Sequence, residues 1–180
     1  MKFLYLAAPP HTDAGARSAL GERMERELRI PVRQMPLPDL GFAFDARRGQ
    51  YASFSVLESL TRLCPADAAR LLALTEHDLF IPVLTFVFGH AQLDGRVAVV
   101  SFARLRQEFY GLEANRDAFL ERAYKEVLHE TGHTFGLVHC PDRTCAMSLA
   151  TNVRHIDQKQ AAFCAPCAAH FDRRKEEECS

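Results

Sequence analysis

His129-Glu130-Thr131-Gly132-His133-Thr134-Phe135-Gly136-Leu137-Val138-His139 is the stretch on which the reading of this 180-residue chain turns. Residues four apart on a helix share a face, so His129 and His133 can present imidazoles to one ion at about 2.0–2.1 Å. Gly136 suits the left-handed backbone that ends a helix abruptly. His139, three residues on, can then swing back as a third ligand and leave the fourth position to water. Glu130 adjoins the first histidine, so its carboxylate can lie beside that water without binding the metal. It can take the water's proton as the water attacks a carbonyl, then pass it to the leaving amine.

From composition, a chance H-E-x-x-H match in this chain is expected at about 0.025. Requiring Gly136 and His139 as well lowers that to roughly one in twenty thousand. Histidines on an ordinary helix are the bland alternative, and a non-catalytic metal closed by a fourth protein group is the sharper one.

Downstream, Cys140-x4-Cys145 and Cys164-x2-Cys167 bring four thiols together as two close pairs, the arrangement of a closed tetrahedral zinc site. Free thiols or disulfides remain open as alternatives. Because Cys140 directly follows His139, a metal on the cysteines would fix the chain where it leaves the first site. Met147, two residues after Cys145, can give that site a soft apolar floor. Cys64 and Cys179 receive no role.

Upstream, the helix carrying His129 begins at an Asn115 cap, with Asp117 in its first turn and Phe119, Ala123 and Val127 on one face. Residues 2–8 read as a buried first strand rather than a leader peptide, and Thr12 or Asp13 can cap a helix through Ala19, Met24 and Leu28. Residues 30–35 form a short second strand, 36–50 an ordered loop, and 51–63 a helix stopped by Pro65. Residues 70–75 fit helix or strand by periodicity alone and are read as strand. Residues 84–88 and 96–101 form paired strands across a loop holding Gly89 and Asp94-Gly95. The sheet is therefore mixed.

The whole composition is that of one globular domain: 48% hydrophobic, 25% charged, and a net charge of −1. Near-neutral charge and the lack of a basic recognition helix beside the cysteines exclude a nucleic-acid partner, and no apolar run reaches the ~18 residues of a membrane span. A cytoplasmic monomer is expected.

The pattern His129-Glu130-x-x-His133-x-x-Gly136-x-x-His139-Cys140, then Cys145-x-Met147 and Cys164-x-x-Cys167, resembles the archaemetzincin family of the metzincin clan of zinc peptidases. The likeness extends upstream through Asp78-Leu79-Phe80 and the two stretches from Phe86 to Gln92 and from Gly95 to Ser101. It implies an α/β (α+β) fold: a metzincin-like twisted mixed sheet with an active-site helix and a small zinc-stapled C-terminal subdomain. Residues 1–171 would be one peptidase domain, divided into subdomains 1–137 and 138–171, with 172–180 a charged tail. The resemblance implies two zinc ions per chain. His129, His133 and His139 would hold a catalytic zinc, with Glu130 as general base and Met147 in the Met-turn, and the four cysteines would hold a structural zinc. It further implies a peptide or protein substrate bound extended along an edge strand, for which residues 84–91 are the candidate. The 16 residues between Met147 and Cys164 are one fewer than the family pattern implies.

Overall fold

A computed structural model describes residues 2–179. In chain order the elements are β1 (Phe3–Ala8), α1 (Ala14–Leu28), β2 (Val32–Pro36), β3 (Phe44–Asp45), β4 (Gln50–Ala52), α2 (Ser53–Leu63), β5 (Ala68–Thr75), β6 (Leu79–Phe80), β7 (Gly89–Ala91), β8 (Val97–Ser101), α3 (Arg116–Thr134), α4 (Val153–Gln158) and α5 (Ala165–Cys179). The main sheet has the order β2-β1-β5-β8-β7. Its first four strands are mutually parallel, while β7 runs antiparallel to β8 and forms an edge. The expected mixed sheet is present, and β3, β4 and β6 make a second, small one.

Helices on both faces explain why β1, β5 and β8 read as unbroken apolar runs. Leu4, Leu6, Leu72, Leu74, Ala98 and Val100 point to one side, where Leu20 and Met24 of α1 and Phe119, Ala123 and Val127 of α3 meet them. Ala7, Leu71, Ala73, Val97 and Val99 point to the other, against Val56, Leu57 and Leu60 of α2. Each buried Leu or Val here removes enough apolar surface for roughly 1.5–3 kcal/mol.

Capping matches the sequence. Asp13 accepts from the Ala16 N–H at 2.8 Å and Asn115 from the Ala118 N–H at 2.9 Å, each satisfying a first-turn donor. Gly136 sits at φ 84°, and the Leu137 and Gly136 N–H groups bond back to the carbonyls of Gly132 and His133. That paired closure releases the chain from α3 toward His139.

Two expectations change. Residues 84–88 are not a strand: the Arg48 guanidinium donates to the Leu84 carbonyl at 3.1 Å, and the Gln50 amide donates to that of Thr85 at 3.0 Å. These side chains hold the backbone at 84–85 in a turn; Val87 makes a single bridge to Leu79, and the residue-by-residue register with β8 starts at Gly89. Residues 172–179, expected as a charged tail, continue α5 and dock on the domain. Phe171 is buried, Glu178 pairs with the buried Arg70 of β5, and the Lys175 ammonium donates to the Leu28 carbonyl.

Candidate metal centre

The C-terminal half of α3 is buried on nearly every side although it carries Lys125, Glu126, His129, Glu130 and Thr131. Buried polar groups require partners, and most of these come from residues 140–160. The Lys125 ammonium donates to the Ile156 and Asp157 carbonyls at the end of α4. The Lys159 ammonium lies 3.5 Å from the Glu126 carboxylate, both side chains almost fully buried. His129 Nδ1 lies 2.8 Å from the Ala146 carbonyl, and His133 Nδ1 lies 2.7 Å from that of Leu137.

A carbonyl can only accept, so both Nδ1 atoms carry protons, and in the neutral rings that burial favours both Nε2 atoms are bare. Those two Nε2 atoms face each other at 3.1 Å. Two lone pairs at that separation repel unless a cation lies between them. Two tetrahedral ligands at about 2.0–2.1 Å from one ion would be about 3.3 Å apart. His139 completes the cluster, with its ring centroid 5.3 Å from that of His129 and 4.9 Å from that of His133. Among the described residues no fourth His, Cys, Asp or Glu joins this group. Burial lowers the pKa of His129 far below the ordinary imidazole value and that of His133 to about 4. Burial, and secondarily Lys159, also lowers His139. Neutral rings are the ligating form, so the donor set fits a divalent metal.

Glu130 is 4% exposed and lines a cleft of about 500 Å³ together with the three histidines. Burial raises its pKa well above the ordinary carboxylate value; Glu126 adds to this and Lys159 opposes it. Burial likewise raises Glu126, again against the opposing effect of Lys159. The edge strand leaves room for this acid: a Cβ on Gly89 would stand 2.5 Å from Glu130 Cγ. Exposed Leu93, Val138 and Leu149 give the cleft an apolar rim.

No disulfide forms among the described cysteines, and Cys140, Cys145, Cys164 and Cys167 converge. Cys140 Sγ and Cys164 Sγ are 3.7 Å apart, against about 3.8 Å for thiolates sharing one tetrahedral ion at about 2.3 Å. The Met147 and Cys164 N–H groups point at Cys145 Sγ, as donors do toward thiolates. Burial raises the pKa of Cys145 and Cys167, whereas the Cys167 N–H lowers that of Cys164. A cation would relieve this mutual opposition. The 16-residue spacing does not prevent convergence, because α4 folds within it.

The turn at 145–147 joins the two clusters. Cys145 contributes its sulfur, Ala146 its carbonyl to His129, and Met147 lies so close under α3 that a Cβ on Gly132 would stand 2.4 Å from its sulfur. The sequence thus located every histidine and cysteine of the two clusters. It missed Gly89, the Ala146 carbonyl and the Glu126–Lys159 pair. Only the improbability of burying Lys and Glu beside a histidine motif could have signalled that pair.

Imidazoles converging beside a buried carboxylate at the head of an apolar cleft define a metal-dependent hydrolase. Comparison with known proteins agrees. Peptidase family M54 matches residues 43–173. The archaemetzincin of Methanopyrus kandleri is 42% identical over 147 residues, which are 82% of this chain and 79% of that protein. The crystal structure of archaemetzincin from M. kandleri superposes with a TM-score of 0.86 at 36% identity, covering 97% of this chain and 96% of that one. A zinc-dependent peptidase from Methanocorpusculum labreanum also gives 0.86, at 32% identity, covering 93% and 99%. The chain belongs to peptidase family M54.

Proposed function

We propose that the chain is a zinc metallopeptidase in which His129, His133 and His139 hold the catalytic zinc and Glu130 is the general base. The observation that carries this is the pair of bare Nε2 atoms facing each other at 3.1 Å beside a buried carboxylate. Zinc supplies Lewis acidity, making water acidic near neutral pH and stabilising negative charge that develops on a carbonyl oxygen.

The Ala146 and Leu137 carbonyls hold the imidazoles of His129 and His133 in the ligating tautomer. Glu130 accepts the proton of the attacking water at a carboxylate oxygen. It then donates that proton to the amine nitrogen as the C–N bond breaks. Substrate binds extended, its backbone pairing with the free edge of β7. The apolar rim of Leu93, Val138 and Leu149 favours apolar side chains. The four cysteines hold a second, structural zinc, consistent with a reducing cytoplasmic compartment. The enzyme works as a monomer without nucleic acid. No helix among the described residues is long and apolar enough to cross a membrane.

Glu130→Gln keeps the side-chain volume and removes the base. The variant is expected to retain zinc while losing cleavage of a mixed-sequence peptide library. Wild-type turnover in a zinc-loaded Glu130→Gln protein would remove Glu130 from the mechanism.

A further inference from the structure

A second set of metal-ligating side chains lies outside the cleft, at the C-terminal ends of the parallel strands. His11 follows β1, Asp39 follows β2 and His77 follows β5. In the order β2-β1-β5 the chain passes from β1 to the neighbour on one side and later returns to the neighbour on the other. The strand order therefore reverses between β1 and β5, and the crevice beyond such a switch point is where parallel sheets bind ligands.

One donor atom from each of the three side chains lies within 4.8 Å of the other two. His77 Nε2 is buried without a hydrogen-bond partner, as is the hydroxyl of Thr12 beside His11. A buried polar atom left unpaired costs free energy that a bound group would recover. The His77 ring is fixed in place, stacked on Tyr51 with centroids 3.9 Å apart and planes 11° from parallel. The His11 ring centroid lies 5.2 Å from it. Asp39 Oδ1 accepts the Gly41 N–H at 2.7 Å, an orienting contact of the kind that metal-binding carboxylates keep. Ligands of one tetrahedral ion stand about 3.3 Å apart, so the set must close by at most about 1.5 Å. His11 and Asp39 are exposed and can move that far by side-chain rotation.

We propose that His11, Asp39 and His77 form a further metal site that takes one divalent first-row transition ion, zinc among them, and clamps the ends of β1, β2 and β5. Two imidazoles and a carboxylate suit such ions and leave a position for water. None of the three residues lines the histidine cleft, so the site stands or falls independently of the peptidase reading.

The test is calorimetric titration of zinc into the holoprotein after dialysis, comparing wild type with His11→Ala and His77→Gln. Wild type is expected to take up one saturable equivalent beyond what it already carries. Both variants should bind that equivalent about tenfold more weakly or not at all, with cleft activity unchanged. Added zinc should raise Tm in the wild type and not in His11→Ala, whose exposed side chain can be removed without harm to the core. Equal zinc uptake in wild type and His11→Ala, or no further uptake by wild type, would overturn the proposal.

Discussion

Replacing Gly89 by alanine isolates the geometry of Glu130 from its chemistry. Gly89 is not among the positive-φ residues, so an alanine there meets no backbone penalty, and the whole effect comes from contact. The new methyl would stand 2.5 Å from both Cγ and Oε1 of Glu130 and 2.7 Å from Cδ, where ordinary contact begins at 3.4 Å. Either the edge strand or the carboxylate must yield by about 0.9 Å. β7 is held to β8 by its ladder and α3 is packed against the sheet core, so the side chain gives way. A misplacement of about 1 Å in a reacting group costs about 100-fold in rate, or about 2.7 kcal/mol in the barrier. The assay is steady-state cleavage of a peptide substrate, with zinc content and Tm measured on the same preparation. Expected are a kcat about 100-fold lower, unchanged zinc, and an overpacking loss of about 1–3 kcal/mol in stability. A Gly89→Ala enzyme with kcat within about twofold of wild type would refute the cradle argument. A rate loss matched by zinc loss would assign the effect to the metal instead.

Cys140→Ser should lower zinc from the proposed two ions per chain to one or fewer, because it removes a thiol from the cysteine cluster, whose turn at 145–147 also orients His129 through the Ala146 carbonyl; a wild-type chain carrying one zinc would contradict the two-site reading. In metal-free protein, burial holds His133 at about 4 against about 6.5 when unfolded, so the unfolded chain binds more protons between these values. His133 therefore adds a loss of stability as pH falls from about 6.5 to 4. Comparing Tm in wild type and His133→Gln across that window isolates the effect from Glu130, whose raised pKa acts in the opposite sense; parallel profiles would exclude it. Glu178→Ala should destabilise by about 2 kcal/mol in urea titration, because Arg70, 5% exposed, loses its carboxylate partner; no change would mean that α5 docks without help from this ion pair.

Several elements were legible because their signal is local. Strands β1 and β8 announce themselves as apolar runs, the helix starts as Asp13 and Asn115, and the end of α3 as Gly136. The segment 84–88 misled because its β-branched and aromatic residues suit a strand, while Arg48 and Gln50, far back in the chain, hold its carbonyls in a turn. The charged run at 172–179 misled because its composition is that of solvent-exposed chain, although one face carries Glu178 to a buried arginine.

By itself the sequence determined the candidate donor residues: two histidines one helical turn apart, a third after a glycine-permitted turn, and two cysteine pairs. Such spacings follow from helix and turn geometry within about a dozen residues. Only the tertiary structure decided which tautomers those histidines hold, how far burial moves Glu130, and where an edge strand makes room for it. These depend on the Ala146 carbonyl, Lys159 and Gly89, groups from separate parts of the chain. Hydrogen bonding, desolvation and steric contact act through space, and one-dimensional periodicity does not encode which distant residues folding will bring together.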